Sequence, residues 1–241
     1  MKNWKAIGVI TLLVLIVGGV RFYFIWKERH APVVVKSRYE EKKLTADEVV
    51  QPRKLYIDDM KSARTLKGKT VWMQAGNEMD YYPYEGHRVE FAHKTGVLPS
   101  IQELKISDMV TAKVPESLQN RVPHGSEQVL AVFEKPDSPK LFATPVGYLE
   151  GSDSKFYCDD LFYYDDPHQL YKHWPADVWQ AVDAHQAKPG MSELQVTMSL
   201  GNVQQSDSSN YGNRTVHYTA AGGKEVTIDF TGDHATSVKS E

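Results

Sequence analysis

The strongest hydrophobic pattern in this chain is an unbroken apolar run from Ala6 to Val20, interrupted at Arg21 and resumed from Phe22 to Trp26. At roughly 1.5 Å per helical residue the run would extend about 32 Å, against about 30 Å for the hydrocarbon core of a bilayer. Trp4 and Trp26 stand at its ends, where indole rings favour the headgroup level. The long stem of Arg21 can reach that level from inside the last turns. The pattern predicts a transmembrane anchor over 1–26. A cleaved signal peptide is the competing reading, and Lys2 and Lys5 suit both. Cleavage needs small residues after a shorter apolar stretch, however, and bulky aromatics followed by Lys27, Glu28 and Arg29 stand there instead.

Beyond the anchor the pattern weakens and then changes period. Residues 27–67 read as a solvated stalk: extended from His30 to Val35, with a helix start at Thr45 and Glu48 placed as a capping box. Residues 68–165 read as a β-rich domain, a small barrel or sandwich. Its strand candidates are 68–73, 105–114, 128–133, 141–148 and 155–158, separated by Gly- and Pro-containing turns. Residues 166–187 read as a helical connector. Asp166 before Pro167 and Trp174 before Pro175 mark two starts, and Val178, Val182 and His185 form a stripe flanked by Trp179 and Ala181.

The last segment, 188–241, carries two competing periods. Leu194, Val196, Met198 and Leu200 alternate as in a strand. Ser192 with Gln195 makes a capping box, Met191 and Val196 have staple spacing, and Gly201 suits the residue after a helix. The terminal signals decide for a short helix. Three strand patterns follow, at 215–219, 225–230 and 235–238, as an antiparallel meander. The expected class is α+β.

Composition narrows the function classes. With 28 basic and 31 acidic side chains the formal net charge is -3, and no basic stripe invites nucleic acid. One cysteine, Cys158, excludes an intrachain disulfide framework and a cysteine-based zinc site. The flanking charges pull orientation two ways. Lys2 and Lys5 precede the apolar run, while Lys27, Arg29, Lys36, Arg38, Lys42 and Lys43 follow it, which by count would hold the bulk in the cytoplasm. A basic tail ahead of one apolar helix is the signal-anchor layout, and long domains translocate largely regardless of charge. The extracytoplasmic placement is the one taken here.

Over about 188–238 the chain resembles the outer-membrane assembly lipoprotein family BamE (also called SmpA/OmlA). The matching residues are Gly190, Met191, Ser192, Val196, Leu200, Gly201, Tyr218, Val226 or Ile228, and Phe230. The family pattern has a Pro shortly after the Leu-Gly pair, a Trp before the Tyr and a lipidated N-terminal Cys. Here Asn202 and Val203, then Val216 and His217, occupy those places, and the Cys is missing. The resemblance implies a helix leading into an antiparallel sheet, and a place in the cell envelope with envelope proteins as partners.

Candidate chemistry is sparse. The acidic-aromatic stretch 157–168 offers Cys158, Asp159 and His168 as a conceivable nucleophilic set, and carboxylates without calcium-loop spacing. Asn213 to Thr215 matches a glycosylation acceptor pattern. Tyr81, Tyr82 and Tyr84, around Pro83, make the best candidate for a partner-binding patch, as aromatics in a turn supply rigid contact area. The expectation is a membrane-anchored envelope protein with a structural or protein-binding role, without catalysis, cofactor or metal. The alternatives are an envelope enzyme with a site near Cys158, Asp159 and His168, and a membrane-anchored cytoplasmic adaptor.

Overall fold

The computed structural model describes residues 3–30, 44–115, 118, 123, 125–136, 138–151, 153–201, 203–220 and 223–240. The extended stretch expected at 31–35 and the basic residues Lys36, Arg38, Lys42 and Lys43 lie outside them. The chain is α+β, in two compact units, Met1–Leu44 and Thr45–Glu241. In the first unit, helix α1 (Asn3–Arg29) ends with Lys27 and Arg29 in its last turn, where cations suit the helix dipole. Gly8–Arg29 within it is long and apolar enough to cross a membrane, at 22 residues and a mean hydropathy of 2.2, and Val14, Leu15, Val17 and Phe22 are exposed.

The second unit begins with α2 (Ala46–Val49), which the Thr45 and Glu48 capping box starts as expected. The stalk reading fails further along. Ile57, Ala63 and Leu66 are buried in the main core, with Leu55 and Met60 packed beside them. Asp59 caps α3 (Met60–Ala63) reciprocally with Ser62. The carboxylate of Asp159 accepts the Leu55 and Ile57 amides, tying this segment down. These apolar residues are too few and too irregularly spaced among charges to show a period, so their burial is invisible locally.

Nine strands form the main sheet: β1 (Thr70–Met73), β2 (Met79–Glu85), β3 (Arg88–Val89), β4 (Gly96–Leu98), β5 (Glu103–Lys113), β6 (Glu127–Lys135), β7 (Ser138–Glu150), β8 (Asp153–Phe156) and β9 (Phe162–Tyr163). Their order is β3-β2-β7-β6-β5-β1-β9, with β4 also on β2 and β8 on β7, and every pairing is antiparallel. Strand β6 lies at the centre. Its alternate residues Val129, Ala131 and Phe133 enter the main core, while Leu130 and Val132 enter a smaller one on the opposite face. Burial on both faces explains why this strand reads as a continuous apolar run. Gly147 leaves β7 room to meet β8, since a Cβ there would strike the Lys155 carbonyl.

Cys158 does not continue a strand. It opens α4 (Cys158–Leu161), which turns the chain into β9. The connector follows as α5 (Pro167–Leu170), capped by Asp166, and α6 (Ala176–Asp183). Then α7 (Glu193–Leu200) carries the Ser192 and Gln195 capping box. Four strands complete the chain: β10 (Val203–Ser206), β11 (Thr215–Thr219), β12 (Glu225–Thr231) and β13 (His234–Ser240), antiparallel and in sequence order. The meander is thus four-stranded, not three-stranded. Strand β10 has one apolar residue, Val203, and gives no alternation to read. Val196, Met198, Val216, Tyr218, Ile228 and Phe230 build a second core between α7 and this sheet, against which Trp72 of β1 and Ile101 also pack.

Candidate functional site

The tyrosines singled out as a patch sit in strand β2, not in a turn. Tyr81 points into the main core, with its ring 5.2 Å from Phe142 and 6.1 Å from Phe133. Tyr82 is buried against Phe91 at 5.3 Å. Only Tyr84 of the three stays half-exposed, where it lines an open hollow of about 630 Å³ with Pro83, Lys140, Leu141 and Phe142. The correction has a physical reason. Strand β2 pairs with β3, β4 and β7, so Pro83 interrupts the amide row without breaking the strand, and both faces of Tyr81–Tyr82 are used for packing.

The conceivable nucleophilic set divides between two environments. Cys158 is fully buried in the main core, and burial, with Asp159 beside it, pushes its thiol up to about 12. A nucleophilic cysteine needs the opposite shift. Asp159 is committed to the Leu55 and Ile57 amides. His168 belongs to the connector: its Nδ1 lies 3.0 Å from Asp166, its Nε2 lies 3.1 Å from Asp183, and its ring stacks on Trp179 at 4.0 Å. No group of three or more His, Cys, Asp or Glu side chains placed to hold a metal ion occurs among the described residues.

Another concave surface lies where β4 and the turn after it meet the C-terminal module. A cleft of about 400 Å³ is lined by Glu78, Val97, Pro99, Ser100, His185, Leu200, Thr219 and Ala220. A second hollow of about 440 Å³ shares His185, Leu200 and Ala220 and continues to Val226 and Val238. Apolar walls with a few polar groups suit a ligand or a partner's side chain. Gly201 shapes the cleft. It takes φ 86 as the cap of α7, and a Cβ there would strike the Glu78 carboxylate. His185 also has a positive φ and holds its Nδ1 3.0 Å from the Ser199 carbonyl. The buried Ser100 hydroxyl finds no hydrogen-bond partner among the described residues.

Beside this surface the C-terminal module is fixed by a charge. Glu193, at the start of α7, is fully buried. Its carboxylate accepts from the Gly212 amide at 2.7 Å and from Arg214 Nε at 2.9 Å, with Arg214 Nη2 also in contact. Asp233 accepts the Glu193 amide at 3.2 Å, and burial raises the Asp233 carboxyl above the ordinary aspartate value. The loop between β10 and β11 is therefore pinned to the start of α7 and to the turn before β13. Tyr211 is exposed on it, with Arg214 5.4 Å from its ring centre. Asn213 of the glycosylation pattern is exposed in the same loop and accepts the Gly232 amide through its side chain.

A second fastening was equally hidden from the sequence. Asp47 of α2 accepts Trp174 Nε1 at 2.7 Å and meets His173 Nε2 at 2.5 Å. The rings of Trp174 and Trp179 lie 5.0 Å apart and those of Tyr171 and Trp174 4.6 Å apart, tilted against each other. Partners separated by 126 and 127 positions leave no local spacing to detect. The aromatic density between 163 and 179 was the available signal, and it marks packing. No protein-family model, curated protein or solved structure matches the chain.

Proposed function

We propose that this chain is a single-pass, membrane-anchored protein of the cell envelope, with its folded body outside the cytoplasm and a structural or protein-binding role. The observation that carries the reading is α1, whose 22-residue apolar span exposes its side chains instead of burying them in a protein core. The C-terminal module is read as BamE-like. Support comes from a Ser192-capped helix set against an antiparallel sheet whose inner face holds Val226, Ile228 and Phe230. The middle sheet, apolar on both faces at β6, is read as a small sandwich-like support. Partner contact is assigned to the cleft around Leu200, His185 and Val97, the concave apolar surface beside that module.

The test is made on the full chain. The mature protein should keep an N-terminus ahead of Trp26 and need detergent for extraction from membranes. An N-terminus beyond Trp26 would make the segment a signal peptide. A reporter fused after Glu241 should be active outside the cytoplasm, and cytoplasmic activity would favour the adaptor reading with the flanking-charge count.

A further inference from the structure

The cleft beside the C-terminal module gathers hydrogen-bonding groups that the fold does not use up. Ser100 lines it at 3% exposure, and its hydroxyl meets no partner among the described residues. A buried hydroxyl left so costs stability unless something from outside satisfies it. His185 lines the same cleft, with its Nδ1 3.0 Å from the Ser199 carbonyl. A carbonyl only accepts, so Nδ1 carries the proton, and in the neutral ring Nε2 is an acceptor. The Glu78 carboxylate adds a third acceptor and a negative charge. No Lys or Arg lines the cleft among the described residues; Lys224 belongs to the adjoining hollow. The backbone here is bent through the left-handed region, at φ 55 in Ile101, next to Ser100, and at φ 52 in His185. For a β-branched residue that is strained, and the Ile101 amide is held there by the Met73 carbonyl at 2.9 Å. Strain of this kind gathers at binding sites. The remaining wall is hydrocarbon: Val97, 40% exposed, with Pro99 and Leu200.

We propose that this cleft takes a basic side chain, lysine or arginine, from a partner protein. Its aliphatic stem lies along Val97, Pro99 and Leu200, and its cationic head donates among the Ser100 hydroxyl, His185 Nε2 and the Glu78 carboxylate. The inference rests on the assignment of partner contact to this cleft and names the chemistry of that contact. Lysine and arginine alone combine a long apolar stem with a head that only donates, which is what an apolar wall beside acceptors calls for. Charge at longer range points the same way. Residues 45–241 carry 19 basic and 28 acidic side chains, so the folded body attracts cations.

The full-length protein in nonionic detergent, labelled at Val and Leu methyls, is titrated at about pH 8, above the ordinary imidazole range. The probes are peptides of the form acetyl-Gly-Leu-Xaa-Leu-Gly-amide, in which Xaa is arginine, lysine, citrulline or glutamate. The methyl signals of Val97 and Leu200 report on the cleft. The arginine or lysine peptide should shift both signals saturably. Citrulline keeps the shape of arginine without its charge, and its peptide should bind about tenfold more weakly, as when a charged hydrogen bond becomes a neutral one. Glu78→Gln should erase most of that difference. Ser100→Ala should weaken the basic peptides several-fold yet leave the melting temperature unchanged or raised, because it removes an orphan hydroxyl. Lys224→Gln should leave binding in place. Equal binding of the citrulline or glutamate peptide at these methyls would overturn the basic chemistry while leaving the cleft as a contact surface. Silence of both methyls toward all four peptides would overturn the proposal and the assignment of contact to this cleft together. Discrimination that survives Glu78→Gln, binding indifferent to Ser100→Ala, or binding lost in Lys224→Gln would overturn the proposal alone.

Discussion

The centre of the main sheet and the C-terminal module are stabilised by different means. Strands β5, β6 and β7 have 11, 9 and 13 residues, and the inward side chains of β6 are apolar on both faces. Long ladders satisfy the backbone, and Phe133, Phe142 and Tyr81 fill the interior. The module has an eight-residue helix and strands of four to seven residues. Its core is supplemented by the buried Glu193–Arg214 pair. Long paired strands hold their own loops at a distance from the core. In the module the loop between β10 and β11 is drawn in by the buried Glu193 carboxylate. Such a pair adds little net stability but is costly to break, so the integrity of the module depends on charge as well as on packing.

Three measurements sharpen this contrast, all by denaturation of the full chain in detergent. Phe133→Ala in the sheet and Phe230→Ala in the module should each cost about 3–5 kcal/mol, since both rings are buried. Asp229→Ala, on the other face of β12, loses a hydrogen bond from Thr215 and should cost about 1 kcal/mol. Equal losses at Asp229 and Phe230 would break the two-faced reading of that strand.

Arg214→Met should cost about 3–5 kcal/mol, because it strands a buried carboxylate, and adding Glu193→Leu should restore most of the loss. A cost of Arg214→Met below about 1 kcal/mol would remove the electrostatic side of the comparison. The smallest effect is expected at Asp233, whose carboxyl is raised chiefly by burial. A raised acid binds its proton more tightly folded than unfolded, so its contribution falls as pH rises through the interval above the ordinary aspartate value. Asp233→Asn should flatten that fall, by well under about 1 kcal/mol given the group's partial exposure. An unchanged pH profile between wild type and Asp233→Asn would exclude Asp233 as a source of the module's pH dependence.

What could be read in advance from the residues follows local rules. The apolar run of α1, the caps at Thr45, Asp166 and Ser192, and the alternation of Val226, Ile228 and Phe230 each need only a few neighbours along the chain. Helix ends and strand faces are set by short-range geometry, so short-range sequence carries them. Strand β2 was missed because Pro83 imitates a turn, and three partner strands from elsewhere in the chain override it. Segment 53–67 was missed because two amides bonding to Asp159, over a hundred positions away, hold it.

The sequence by itself determined the apolar span, the α+β class and most element starts. The tertiary structure alone decided that Tyr81 and Tyr82 face inward, that Cys158 is sealed from solvent, that Glu193 pairs with Arg214, and that His168 lies between two aspartates. Each of these depends on which distant segment comes to rest against the residue, and burial and charge pairing are properties of that meeting.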